Sequence, residues 1–289
     1  MNCTICNGVL EREVLRITVP DRFEKSVQIS DLGYLRVWSA CRFCGALSNL
    51  IPEIAMEKIE LLRKNYYEID FSGSDINQKY QYVMTLPTVA SDNFARIHRV
   101  LNFCKDWFSA PDKSSLSFLD IGAGTGVFLS KLLDLTSASG FRYLAIEPDP
   151  MAAKHLRNLR KFEVFEGIYE GQSFFNEFNV ITMNKVLEHI QEPMKLLEKI
   201  SKSMRGRNKV LYLEVPDRVT AEIASQGDNI LGVLHCHLYD LRTFTYMAEE
   251  LNLEILTMER IKEPSGKFTI FAFLTSHENL IGKWSCHDI

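Results

Sequence analysis

The sequence predicts an α/β fold: a doubly wound, mostly parallel sheet closed by an antiparallel hairpin, with a small cysteine-rich module and a helical stretch ahead of it. Three observations predict it. From Leu116 onward, short apolar runs alternate with segments of helical periodicity, the pattern of right-handed βαβ units. One apolar run ends in Asp120 and passes straight into Gly122, Gly124 and Gly126, a tight turn that opens a helix. Two Cys-x2-Cys pairs, Cys3 with Cys6 and Cys41 with Cys44, precede all of this.

At 289 residues the chain has room for one large α/β domain and an appendage. A hydrophobic content of 46% with 24% charged residues excludes the disordered and fibrous classes. The net charge of −4, without a long basic run, argues against nucleic acid as a partner, because such binding leans on many Lys and Arg phosphate contacts. The stretch from Met1 to Cys6 lacks a basic region ahead of an apolar one, and no stretch approaches the ~18 apolar residues of a membrane span. The cytoplasm is therefore the expected compartment. Seven cysteines, an odd number with four in paired spacing, fit a reducing compartment and a metal site better than disulfides.

Residues 1–52 read as a zinc ribbon. A structural Zn2+ takes four thiolates in a tetrahedron, and each Cys-x2-Cys turn brings two of them to one side of the ion. Cys3, Cys6, Cys41 and Cys44 are the ligands on this reading, with Ser26–Ile29 and Tyr34–Trp38 as short strands between the pairs. Unrelated structural cysteines and a catalytic dithiol are the alternatives. Residues 53–112 read as a helical lid and linker. Glu53–Lys64 places Ile54, Ile59, Leu61 and Leu62 along one side, and Asp92 caps a second helix. Between them Tyr66, Tyr67, Phe71, Tyr80 and Tyr82 form an aromatic cluster, either a packed core face or a cover for a ligand. Pro111–Ser115 is the linker.

Residues 113–289 hold the main domain. Strands are expected at 116–121, 142–146, 162–165, 178–183 and 209–213, helices at 127–135, 151–159, 193–204 and 241–251. A final hairpin, 253–261 with 267–274, turns at Gly266.

The glycine turn points to a nucleotide-like cofactor. Glycine admits positive φ and lets a ligand lie against bare backbone, and the helix that follows offers free N–H groups and the positive end of its dipole. Dinucleotide turns run G-x-G-x-x-G. Here that third position is Val127, and the spacing is G-x-G-x-G directly after Asp120. The next strand ends in Glu147, where a carboxylate bridges a ribose diol.

Over residues 85–275 these features resemble the class I S-adenosylmethionine-dependent methyltransferases. The resemblance implies a Rossmann-like, seven-stranded methyltransferase sheet with its last hairpin antiparallel, and S-adenosylmethionine as cofactor. It implies that Asp120, Gly122, Gly124 and Gly126 cradle the methionine part and that Glu147 holds the ribose hydroxyls. Glu166 and Gly167 approach the adenine, with Ile168 where the family often has an acidic residue. Asn184 and Val186 lie in the segment Asn179–Ile190, which matches the fourth-strand motif of small-molecule members, followed by a helix-starting Pro193.

A cysteine-rich zinc module in front of such a domain is similar to the sugar C-methyltransferases that act on nucleotide-activated deoxysugars. Those carry a histidine after the fourth strand and a Glu-His pair beyond the fifth. His189 matches the first, and His235-Cys236-His237 occupies the second region, with His237 the better match and Cys236 where that group has Glu. The resemblance implies a small polar acceptor, a sugar or nucleotide-linked sugar, methylated on oxygen or carbon.

Methyl transfer from a sulfonium needs an in-line nucleophile, and positioning supplies much of the acceleration. An O–H or C–H acceptor also needs a base, and histidine titrates in the right range. His189 and His237 are the candidates, His235 the second choice in its loop, and Tyr239 a residue that orients substrate; capping and packing are the plain alternatives. Two competing functions remain. One is an RNA or tRNA base methyltransferase docked through the ribbon, which lacks support from an Asn-Pro-Pro-Tyr-like end to strand four. The other is a non-catalytic cofactor-binding interaction protein, against which the set of Asp120, the three glycines and Glu147 stands.

Overall fold

The computed structural model describes residues 1–64, 75–109, 116–136, 140–206 and 208–281. Tyr66, Tyr67, Phe71, the linker 111–115 and Cys286 lie outside the described residues.

Among the described residues eleven strands run in chain order: β1 (Leu10–Ile17), β2 (Arg36–Cys41), β3 (Leu47–Leu50), β4 (Ser117–Ile121), β5 (Arg142–Glu147), β6 (Glu163–Glu166), β7 (Val180–Asn184), β8 (Val210–Pro216), β9 (His237–Leu238), β10 (Leu253–Lys262) and β11 (Phe268–Ser276). Seven of them form the main sheet in the order β10-β11-β8-β7-β4-β5-β6. β4 to β8 are parallel, and β11 runs antiparallel between β8 and β10. The expected α/β architecture with a closing antiparallel hairpin is therefore present. Every residue of β4 and of β8 is buried, as parallel strands covered on both faces require.

The helices are α1 (Arg22–Ser26), α2 (Met56–Lys64), α3 (Ile76–Thr85), α4 (Asp92–Trp107), α5 (Val127–Thr136), α6 (Pro150–Leu159), α7 (Pro193–Ser203), α8 (Thr220–Ile223), α9 (Leu241–Glu250) and α10 (His277–Ile281). The cap of α4 is Ser91, whose Oγ accepts from Phe94 N at 3.3 Å; Asp92 instead binds the far hairpin through Ser265 N and Oγ. Ile97, Val100 and Cys104 of α4 pack on Phe118 and Phe128, so this helix is a layer of the main core. α2 buries Ile59 and Leu62 against Val233 and Leu234, while Leu61 faces solvent. α3 sets Ile76 on Ala152 and Tyr80 edge-on to His155, whose Nε2 lies 3.2 Å from Thr125 O in the glycine turn.

The N-terminal segment differs from expectation in one element and gains another. Residues 26–29, read as a strand, are instead the last residue of α1 and the turn after it, because Asp21 and Glu24 form a reciprocal capping box that nucleates a helix there. β1, absent from the reading of the sequence, pairs with β2. The N-terminal sheet has the order β1-β2-β3-β9. Its fourth strand comes from the loop between β8 and α9, with Leu47 opposite Leu238 and Ser48 opposite His237. Trp38, Ile17 and Leu47 bury against Leu231 and Leu238 of that loop.

Candidate active site

The turn after β4 is built as its glycines demand. Gly122, Gly124 and Gly126 all have positive φ, at 73°, 57° and 75°. At two of them a side chain has no room. A Cβ on Gly122 would lie 2.5 Å from Val186 Cγ2, and one on Gly126 would lie 2.5 Å from Leu156 Cδ2. Gly122 N and Ala123 N both donate to Ile146 O, at 2.9 and 3.1 Å, so the turn is tied to the end of β5. α5 begins immediately after it and points its N-terminus back at the turn.

Two carboxylates flank this turn. Asp120 Oδ1 accepts from Thr182 Oγ1 at 2.6 Å and from Asn184 Nδ2 at 2.9 Å. Burial pushes its carboxyl up to about 7 against those two bonds. Glu147 Oε2 accepts from Gly124 N at 2.7 Å and its Oε1 from Asp149 N at 3.0 Å. Burial raises it to about 7 as well, opposed by the two N–H groups. The amide oxygen of Asn184, buried beside Asp120, has no partner among the described residues, and a buried acceptor left so asks for a donor.

These features fit S-adenosylmethionine. Backbone without side chains and a helix N-terminus suit its methionine carboxylate, the Glu147 carboxylate suits its ribose diol, and the unmatched Asn184 oxygen beside Asp120 suits its ammonium group. Gly167, with φ of 147°, donates from its N to Glu147 O at 3.0 Å. Glu166 stands in register with Glu147, but its side chain pairs with Arg157 at 2.7 Å near the surface, and Ile168 is exposed.

Beyond β7 the chain passes over the turn. Lys185 takes a left-handed φ of 57°, uncommon without glycine. Its N donates to Glu214 O at 2.9 Å, and Nζ reaches Thr269 Oγ1 at 2.5 Å and Glu214 Oε1 at 3.7 Å. Val186 then lies on Gly122, and Leu187–His189 form one 3-10 turn. That turn is fixed from the β9 loop: Tyr239 OH donates to Leu187 O at 2.9 Å and Cys236 N to Glu188 O at 2.6 Å.

The predicted histidines part company here. His189 and His235 meet edge-on with ring centroids 4.6 Å apart. His237 is buried elsewhere. Its Nε2 is 3.2 Å from Thr4 Oγ1 and 3.1 Å from Gln191 O, and its Nδ1 is 3.4 Å from Ser48 Oγ, in the seam with the N-terminal sheet. Cys236, between the two, has its Sγ 3.5 Å from His189 O. Tyr239 is fully buried and holds the 3-10 turn rather than facing a cleft.

Cys3, Cys6, Cys41 and Cys44 converge, with all four sulfurs within 4.8 Å of one another. Cys3 and Cys44 are 3.8 Å apart, and Cys6 and Cys41 are 3.3 Å apart; sulfurs sharing a tetrahedral zinc at 2.3 Å would be ~3.8 Å apart. Gly8 N points at Cys6 Sγ from 3.4 Å, and Gly45, with φ of 82°, closes the second knuckle. Hydrogen bonding from Cys44 holds the Cys3 thiol down at about 5 despite its burial. The site is not peripheral. Arg218 Nη1 donates to Gly45 O at 2.7 Å, Thr243 Oγ1 to Cys44 O at 2.9 Å, and three of the four cysteines are buried in the same core as β4 and β7.

Several functional neighbours had weak sequence signals. Thr182, two positions before Asn184 on one face of β7, is legible only through strand alternation. Glu214, at the end of β8, is gripped by Arg96, Arg99 and Tyr212, and although burial opposes it, Arg96 and Lys185 hold its carboxyl well below the usual range. Arg96 and Arg99 lie more than a hundred residues away in the chain, and no local motif announces them. Glu188, next to His189, is buried with Oε2 unpartnered among the described residues.

The fold and the two-carboxylate glycine turn define a class I methyltransferase architecture. Residues 89–258, more than half of the chain, match the methyltransferase-domain family, and the chain belongs to it as an S-adenosylmethionine-dependent methyltransferase. A comparison with curated proteins found no match. Among solved structures it is similar to the plantazolicin methyltransferase BpumL bound to SAH, with 15% identity, 78% of this chain and 100% of that one covered, and a TM-score of 0.55. The DszA carbon methyltransferase is 14% identical over 76% of this chain and 63% of that one, with a TM-score of 0.51. The Burkholderia thailandensis 1,6-didemethyltoxoflavin-N1-methyltransferase, bound to 1,6-didemethyltoxoflavin and S-adenosylhomocysteine, is 12% identical over 83% and 95%, also with a TM-score of 0.51. At these identities the likeness is one of fold. Among the described residues no helix is long and apolar enough to cross a membrane.

Proposed function

We propose that the chain methylates a small polar acceptor, a sugar or nucleotide-linked sugar, on oxygen or carbon, with the histidines beside the fourth parallel strand assisting its deprotonation. The observation that carries this reading is the pairing of His189 with His235, 4.6 Å between ring centroids, with His189 three residues after Val186, which packs on the glycine turn. The acceptor loses a proton, its freed electron pair forms the new bond to the methyl carbon, and the S–CH3 bond breaks to leave a neutral thioether. Glu147 takes the ribose diol, Asp120 with Asn184 takes the methionine end, and Gly122, Gly124 and Gly126 let both approach. Glu166 and Gly167 border the adenine side, where Gly167 offers its unencumbered α-carbon.

On this reading the four cysteines hold a structural Zn2+, since four thiolates leave no open coordination position, and His237 and Tyr239 are positioning residues. Incubation with S-adenosylmethionine and a panel of nucleotide-linked sugars, followed by mass and NMR of the product, is the test. A methylated sugar is expected. Binding of the cofactor without methylation of any hydroxylated acceptor, alongside turnover of an amine, would replace it. His235→Ala should lower kcat at least a hundredfold, in line with general acid–base contributions of ~100- to 10,000-fold, whereas His237→Gln should act mainly on stability.

A further inference from the structure

From the cluster of Glu188, His189 and His235 we infer a second metal site, for a divalent first-row transition cation, separate from the four cysteines. One ligand atom from each of these three residues lies within 4.8 Å of the others. Nδ1 of His235 is 2.7 Å from Ile230 O and Nδ1 of His189 is 3.2 Å from Leu234 O. A carbonyl only accepts, so each Nδ1 carries its hydrogen and the lone pair sits on Nε2. Imidazoles tethered in this way by their far nitrogen are the usual metal ligands, with tautomer and ring orientation set in advance.

The third ligand is the strongest sign. Glu188 is 1% exposed, and its Oε2 meets no hydrogen-bond partner among the described residues. A buried carboxylate oxygen left unmatched is costly, and a cation would satisfy it. Ligands sharing one ion at ~2.1 Å sit roughly 3 Å apart, so small side-chain rotations would close the set. The backbone under it is already locked by Cys236 N on Glu188 O, Tyr239 OH on Leu187 O, and Asn49 Nδ2 on His235 O at 2.8 Å. Two imidazoles and one carboxylate on a single side of an ion leave coordination positions open, as in mononuclear Mn2+, Fe2+ or Zn2+ sites. Resting on the methyl-transfer reading above, those positions take two adjacent oxygens of the acceptor, a vicinal diol or hydroxyketone, and the cation makes the bound hydroxyl acidic, so that the imidazoles assist its deprotonation as ligands and not as free bases.

The test is binding of Mn2+ and Co2+ to protein already loaded with zinc. Equilibrium dialysis and Mn2+ EPR should show one equivalent beyond the zinc. The Co2+ added at this step should give weak d–d bands without thiolate charge transfer, which separates it from the cysteines. Glu188→Gln and His235→Ala should each weaken that equivalent at least tenfold while S-adenosylmethionine binding by calorimetry shows the variants folded. No second equivalent in the native protein, or one unaffected by either substitution, overturns the site. Failure of the methyl-transfer reading would instead appear as cofactor binding by the native protein without methylation of any hydroxylated acceptor, whether or not the second metal equivalent binds.

Discussion

Asn49 in β3 holds His235 and its neighbour from two sides: its Nδ2 donates to His235 O at 2.8 Å and its main-chain N to Cys236 O at 2.9 Å. The N-terminal sheet thereby sets the height of the loop that carries the imidazole. Asn49→Ala leaves a buried carbonyl unmatched, which costs about 1–3 kcal/mol, read by thermal unfolding. It should depress kcat several-fold while S-adenosylmethionine affinity stays within twofold. Equal losses in both would mean that Asn49 supports the fold generally and does not position His235.

The four cysteines reach the same loop through Arg218 on Gly45 O, and α9 behind it through Thr243 on Cys44 O. Zinc removal by a strong chelator, or Cys44→Ser, should lower Tm by about 10 °C or more, since structural zinc contributes several kcal/mol at roughly 2–4 °C each. Metal analysis should find one thiolate-bound zinc before treatment. Unchanged Tm after complete zinc loss would show that the core around Tyr239 and Phe244 holds this region without an ion.

With Glu147 as the proposed acceptor for the ribose diol, cofactor binding should depend on pH. Burial raises its carboxyl from 4.5 to about 7 in the free protein, and a ribose diol needs the ionised form as acceptor. Cofactor binding then releases a proton, so affinity should rise through pH 7 and fall by up to about tenfold per unit below it. Stability runs the other way. The fold keeps a proton that the unfolded chain loses above 4.5, so this group's contribution is complete below 4.5 and is lost as pH rises through about 7. Calorimetry of native protein and Glu147→Gln between pH 6 and 8 checks both signs; a flat native profile would remove Glu147 as the titrating acceptor.

Gly122 and Val186 are matched in shape. Gly122→Ala puts a methyl 2.5 Å from Val186 Cγ2 at a φ of 73°, so both crowding and backbone strain oppose it. Cofactor affinity should drop tenfold or more. Val186→Ala in the same chain should restore part of it, the part due to crowding, and the double-mutant cycle measures that share. Full rescue would mean that the backbone angle matters little.

Much of the molecule is legible in the order of its residues. The parallel strands, the helices between them, the glycine turn after Asp120, the acid at Glu147 and the two cysteine pairs are local patterns, each set by chain geometry over a few residues, and they appear where the pattern places them. What the tertiary structure alone decided is which distant groups share a site. Pairing of β3 with β9 buries His237 and turns His235 toward His189; local spacing puts these two histidines in the same loop and cannot tell them apart. α4 packs on the main sheet because its apolar face finds Phe118, and Glu214 finds Arg96 only once β8 lies beside the end of that helix. The capping box at Asp21 turns a stretch with strand-like residues into the end of a helix. Local order determines elements and cofactor turn; burial and strand partnership, which depend on the whole chain, decide which histidine stands beside His189.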